Sequence, residues 1–440
     1  MPDPQTFACI TYGCQMNAYD SELVAELLAH QGYQQADLSE ADVLIVNTCS
    51  VRDHAERRAL GRLRALRTLK EQRPDTIIAV IGCMAQRRGK QLLERVPWID
   101  LVVGPDGYRS LPQLIQAVQE NGTNVVSTDL SGCETYSGIH PQPGGAFQAF
   151  VAVMRGCSNR CTYCIVPYVR GPARSRSLDD ILEEVKARVR GGVKEVTLLG
   201  QNVNGYRDGE VGFAGLVERV ASLPGIGRVR FTTSHPKDLT AELFDVMAGQ
   251  EAVCEHLHLP MQSASSPVLK RMGRGYTRED YLDLVDEARE RVPGLALTTD
   301  ILVGFPGETE KQFGETLDAV REIRFHFAYM FGFSPRPGTP AAVMDQLPRE
   351  VVQSRLSRLI QVQNSITRER NAEMVGHSFE VLVEGKSPRS PDQFRGRTRT
   401  NTMVAFSGGE VSVGDPVCVK IERLQGWTPV GRLATDTTDK

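Results

Sequence analysis

The stretch Met154–Gly171 reads MRGCSNRCTYCIVPYVRG, and its interpretation governs that of the whole chain. Cys157, Cys161 and Cys164 stand in a C-x3-C-x2-C pattern, with Tyr163 immediately before the third thiol. Three thiols this close cannot pair off as internal disulfides, since their number is odd. They can turn three thiolates toward one point, and thiolates are the ligands iron–sulfur clusters take. Four protein ligands would close a [4Fe–4S] cubane; three leave one iron open to an outside group. Two blander readings are a zinc knuckle short of its fourth ligand and thiols that merely pack. Zinc sites nearly always show all four ligands, so the pattern favours a redox cluster.

At 440 residues the chain has room for two or three domains. Its 41 % apolar and 24 % charged composition is ordinary for a globular protein. No apolar run reaches bilayer length, so no membrane partner is expected. The start, MPDPQTFACI, lacks the basic-then-apolar pattern of a secretory signal, and a cytoplasmic location is expected. Ten cysteines in such a chain point to metal binding rather than disulfides. The net charge of −3 argues against a polyanion partner, but distribution matters more than the sum. Arg155, Arg160, Arg170, Arg174 and Arg176 lie close together with no acid between Met154 and Ser177, and Arg395, Arg397 and Arg399 form a second basic cluster.

The first third, residues 1–128, reads as alternating strands and helices. Runs at 7–11, 43–47 and 77–81 are short, apolar and β-branched, with helical patterns at 20–30 and 54–70 between them. That βαβαβ order predicts an open parallel sheet. Each strand ends in a cysteine, in TYGCQMN (Cys14), VNTCSV (Cys49) and IGCMAQ (Cys83). The ends of parallel strands share one rim, where ligands bind. Three thiols distant in sequence would therefore meet there, unless they are unrelated buried cysteines. Cys9 is expected to face the core. Cys133 falls in the polar segment 131–143, part of an interdomain linker placed at 129–145.

Residues 146–372 again alternate, with candidate strands at 149–154, 195–199, 229–232, 256–259, 297–302 and 327–331. Six strands with crossover helices predict a partial (β/α)6 TIM-like barrel, reactive at the strand C-termini. The thiol loop follows the first strand and so lies on that face. GFPGETE (304–310) lacks the G-K-[ST] of a phosphate loop. Cys254, His256 and His258 alternate on one strand, which suits packing or substrate contact better than an incomplete metal site.

From 373 to 440 the runs become short and alternating, predicting a small all-β barrel. Arg395, Arg397 and Arg399 would share one strand face, suited to a phosphate backbone or simply to solvent. Cys418 is expected in the core.

The loop Met154–Gly171 resembles that of the radical S-adenosylmethionine (SAM) enzymes. YGCQMN, NTCSVR and IGCMAQR resemble the N-terminal domain of the methylthiotransferases, a branch of that superfamily, and GRTRTN with the tail's length resembles the TRAM domain, an RNA-binding module. The resemblance covers nearly the whole chain. It implies SAM and two [4Fe–4S] clusters, one on Cys157, Cys161 and Cys164 and one on Cys14, Cys49 and Cys83. The first cluster would donate an electron to SAM, giving methionine and a 5′-deoxyadenosyl radical; the second would carry the sulfur. Tyr163, Gln201, Ser234 and Glu308 fall in segments that line the SAM pocket in such proteins. The wording C-Q-M-N after Tyr12-Gly13 is closest to the members that convert N6-isopentenyladenosine, next to the tRNA anticodon, to its 2-methylthio form. Relatives acting on a ribosomal-protein aspartate or on threonylcarbamoyl-adenosine remain the alternatives. Implied partners are a tRNA anticodon stem-loop carrying the isopentenylated adenosine, an electron donor such as flavodoxin or ferredoxin, and a sulfur donor.

Overall fold

The computed structural model describes residues 5–50, 53–142, 144–388 and 390–434. Val51 and Arg52 of the NTCSVR motif, Pro143 of the expected linker and residues 435–440 of the tail lie outside the described residues.

The N-terminal unit is a six-stranded parallel sheet, larger than the three strands expected. Its order is Gln34–Gln35, Thr6–Thr11, Val43–Thr48, Ile77–Gly82, Leu101–Val103, Val125–Ser127. The two central strands are buried at every position. Their alternation divides the core in two: Val43 and Ile45 pack with Leu23, Leu27 and Ile115 on one face. Leu44 and Val46 pack with Ala59, Leu63 and Leu66 on the other. Helices cover both faces, which explains why these strands read as continuous apolar runs.

Six parallel strands form the middle unit: Gln148–Ala152, Glu195–Leu199, Arg228–Phe231, His256–His258, Ala296–Val303 and Phe327–Gly332. A single parallel bridge, Val229 to Val253, joins the first three to the last three. The barrel is therefore open between its first and last strands. Outward residues such as Val196, Leu198, Val229 and Ile301 build one core with the surrounding helices. Two of those helices, Arg278–Arg291 and Glu310–Ile323, begin with capping boxes, Thr277 with Asp280 and Thr309 with Gln312.

Five strands close the C-terminal barrel. Val419 and Ile421 fill its core, so Cys418, one residue out of phase, is exposed rather than buried. This barrel is anchored beneath the larger one. Arg230, buried, donates to the carbonyls of Thr398 and Arg399 at 2.8 Å each, and Arg228 donates to that of Arg397 at 2.9 Å. Arg399 returns the contact, binding Glu255 at 2.7 Å and the Val253 carbonyl. Arg230→Met is expected to lower stability by about 2 kcal/mol, through lost charge-assisted hydrogen bonds. It should also free the C-terminal barrel to a protease acting after Arg370, read by limited proteolysis.

Candidate metal centre and cofactor cleft

The first cysteine motif works because its polar neighbours tie three strand ends together. Cys14 caps the helix Gln15–Ala29, and Asn17 accepts from its backbone N–H. The Asn17 amide donates to Asn47 Oδ1 at 2.9 Å and to the Thr48 carbonyl, and Asn47 donates back to the Asn17 carbonyl. Gly82 completes the lock with a left-handed φ of 94°; a Cβ there would stand 2.5 Å from the Thr48 carbonyl oxygen. These contacts bring Cys14, Cys49 and Cys83 to one rim. Hydrogen bonding to Cys49 carries the Cys14 thiol down to about 6, helped by Arg170 against the opposing effect of burial. Burial raises the Cys83 thiol, while Arg170 donates to its Sγ at 3.2 Å.

The second triplet sits in the loop after the first barrel strand. Gly156, φ 72°, lets that loop fold against the Pro172 carbonyl, which a Cβ would meet at 2.0 Å. Cys157 and Cys161 are buried, and burial lifts the Cys157 thiol and pushes Cys164 up to about 12. Cys157 and Cys161 each add to the shift of Cys164, which marks three neighbouring thiols. Arg274 faces them, with Nη1 3.6 Å from Cys161 Sγ and Nη2 bound to the Pro260 carbonyl.

The two triplets share a wall. Cys83 packs on Ile165 and Val169, the residues that follow Cys164. Cys14 packs beside Phe150, Ala152 and Leu199 of the barrel. The arginines between Met154 and Ser177, expected as an open basic patch, are mostly inside this seam. Arg155 and Arg170 share the fully buried Asp20, Arg174 grips Asp106 with two bonds, and Arg176 binds Glu184 and Tyr19. Only Arg160 of the five is exposed. The segment expected as a loose linker also enters the seam: Tyr136 is buried, stacked on Tyr108, with the Arg155 guanidinium 4.6 Å from its ring centre.

Among the described residues, no three of His, Cys, Asp and Glu stand close enough to hold a single metal ion. A cluster needs wider spacing, because its own iron and sulfide fill the space between the thiols. Soft donors beside arginines that offset thiolate charge suit such a group. The residues expected near SAM fit a polar guest as well. Gln201 Oε1, Ser234 Oγ and Glu308 Oε1 are all buried without a hydrogen-bond partner, a state that costs free energy until something donates to them. The other Glu308 oxygen holds its own loop, accepting from the Gly304 N–H and Arg355 Nη1 at 2.8 Å each. Tyr163 packs against Val268, Met272 and Phe305.

His256 and His258 both share the Thr298 hydroxyl at 3.0 Å, as a strand face would. The expected phosphate face of the tail is divided. Arg399 is committed to Glu255, and Arg397 to Glu384 at 2.8 Å, leaving Arg395 exposed. Asp20 and Arg274 escaped the sequence reading, while Asn17 and Arg170 entered it only as members of C-Q-M-N and of the arginine cluster, without these roles. Asn17 and Arg170 lie in the quoted cysteine motifs, and Arg274 carries the turn-like Gly-Arg-Gly at 273–275. A cavity of about 850 Å³ opens between the N-terminal unit and the barrel, lined by Arg87, Arg88, Phe333, Arg336 and Arg349. Arg336 lies within the field of Cys49.

Comparison with known proteins agrees with this geometry. The radical SAM superfamily matches residues 151–320, the TRAM domain matches 372–433, and a family described as uncharacterized, UPF0004, matches 6–104. Among solved structures, the radical SAM methyltransferase TsrM from Kitasatospora setae, with cobalamin and a [4Fe-4S] cluster bound, has a TM-score of 0.60. It is 17 % identical, over 77 % of each chain. The cobalamin-dependent radical enzyme OxsB reaches 0.55 at 15 % identity, over 83 % of this chain and 58 % of its own. An open barrel with this thiol loop defines a radical SAM protein. A Moorella thermoacetica protein named tRNA-2-methylthio-N(6)-dimethylallyladenosine synthase is 47 % identical over 98 % of both chains. One of the same name from Acetivibrio thermocellus is 47 % identical over 96 % of this chain and 90 % of its own. The chain belongs to the MiaB-type methylthiotransferase family.

Proposed function

We propose that this protein attaches a methylthio group to carbon 2 of N6-isopentenyladenosine beside the tRNA anticodon. The observation that carries the reading is the shared wall: two thiol triplets, distant in sequence, brought to one seam through Cys83, Ile165 and Val169. Cys157, Cys161 and Cys164 would hold one [4Fe–4S] cluster, and Cys14, Cys49 and Cys83 the other. Gln201, Ser234 and Glu308 would offer SAM their unpartnered oxygens. When bound, these groups supply the electron, the radical and the sulfur that no side chain can provide at an unacidified C–H bond.

The chain's own residues position these groups and keep water out. Arg170 and Arg274 offset thiolate charge at the two triplets, and the Asp20 seam keeps water from the space between them. The cavity near Arg336 would take a nucleotide splayed from the anticodon loop. An electron donor such as flavodoxin or ferredoxin and a separate sulfur donor complete the partners. No helix of the described residues is long and apolar enough to cross a membrane.

Mass spectrometry of nucleosides from tRNA of a strain lacking this protein tests the reading. The expected result is loss of the 2-methylthio nucleoside and accumulation of N6-isopentenyladenosine. Unchanged tRNA, with a ribosomal protein losing its methylthiolated aspartate instead, would overturn it. For the tail, Arg395→Ala is expected to weaken RNA binding uniformly and to lower the salt slope by about one. An unchanged slope in a titration would remove Arg395 from the contact.

A further inference from the structure

We infer that the barrel's last strand, Phe327–Gly332, is the surface that reads the prenylated base, with Tyr329 between Phe327 and Phe331 as its stacking face. The inference rests on the proposed function and names the subsite within it. These three rings are 46 %, 43 % and 36 % exposed, and among the described residues they form a row on one strand, whereas the other exposed large apolar side chains, Tyr168 and Trp427 among them, lie singly along the chain. They alternate along the strand with Ala328 and Met330, which pack into the barrel's outer core. Period-two alternation therefore turns all three rings to the inner face.

Register supports that placement. Thr298, Asp300 and Leu302 lie opposite Phe327, Tyr329 and Phe331. Tyr329 meets the His258 ring edge-on at 5.8 Å and Phe327 at 5.1 Å. His258 in turn lies 3.6 Å from Asp300. The inner wall thus combines three exposed aromatic rings with an imidazole, a hydroxyl and a carboxylate.

The two strands of this wall lead toward the two thiol triplets. The strand runs on into the loop of Phe333 and Arg336, which lines the cavity and feels Cys49. The neighbouring strand His256–His258 runs toward Pro260, whose carbonyl is bound to the arginine facing Cys161. A base held here would lie on the strands that lead to both. Its flat face matches an aromatic ring, its ring nitrogens match His258 and Asp300, and its branched five-carbon tail matches the flanking phenylalanines. Exposed aromatics on an edge strand are otherwise a liability, which makes an occupant the better account of them.

Two synthetic anticodon stem-loops, identical except for the dimethylallyl group on the target adenosine, test this by fluorescence anisotropy with the anaerobically reconstituted full chain. The wild type is expected to prefer the prenylated loop by about tenfold or more. Tyr329→Ala and Phe331→Ala should each bring that preference to within about twofold, while Tyr329→Phe retains it. Phe327→Ala, at the other end of the row, gives an independent reading should one variant fold poorly. A preference that survives all three alanine variants, an equal loss for both loops, or no preference in the wild type would overturn the inference. Failure of the function itself is separable: the wild type would then give no 2-methylthio product from the prenylated loop, whatever the binding ratio.

Discussion

Cys157→Ala is expected to abolish cleavage of SAM to 5′-deoxyadenosine, whereas Cys49→Ala should leave that cleavage in place and abolish methylthiolation. The contrast follows from where the thiols lie. Cys157 belongs to the loop triplet after the first barrel strand, whose Cys161 Sγ lies 3.6 Å from Arg274 Nη1. Cys49 belongs to the rim of the N-terminal sheet, joined to Cys14 by a hydrogen bond. Each substitution leaves two thiolates where three are needed, so iron in the reconstituted protein should fall from about eight to about four atoms per chain in either variant. Only the assay separates them. Burial raises the Cys157 and Cys164 thiols, so a cluster held there would release protons on binding. Methylthiolated product from Cys49→Ala would show that the rim triplet does not serve the sulfur step.

The features legible in the sequence are those whose chemistry is local or follows from topology. C-x3-C-x2-C is legible because its three thiols lie within one short loop. Cys14, Cys49 and Cys83 are legible because parallel strands end on one edge, whatever the loops between them do. The short strands Leu101–Val103 and Val125–Ser127 were not, since three residues carry no measurable period. Cys418 was placed on the wrong face because a strand's inside and outside differ by one residue. Tyr136 sits in a stretch of turn-forming residues, and only tertiary contact with Tyr108 and Arg155 reveals it as core. The arginine cluster misled most. Five arginines without an acid look like an open basic patch, because the acids that neutralise four of them lie elsewhere in the sequence or just beyond the window. Ion pairing has no periodicity, so nothing in the local pattern announced that this charge faces inward.

That inward charge gives the other large effect: Asp20→Ala is expected to cost about 3–5 kcal/mol of stability, the range for breaking a buried ion pair from one side. The carboxylate is fully buried, and both of its guanidinium partners are buried too. Removing it leaves two cations facing each other without a counter-charge. Neither has a ready substitute: Arg155 already carries two nitrogens with no hydrogen-bond partner, and Arg170 carries one. Asp20→Asn keeps the shape but not the charge, and it should fall between the wild type and alanine in a thermal melt. Because Arg170 also donates to Cys83, its displacement should reach the rim thiols before the loop thiols. Asp20→Ala is therefore expected to load iron poorly at Cys14, Cys49 and Cys83 while SAM cleavage persists at the other triplet, and a protease should reach the 129–145 segment once the seam opens. A melting midpoint equal to the wild type's would mean that Asp20 does not hold the two units together. Full iron loading with a lowered midpoint would confine its role to stability and detach Arg170 from the rim site.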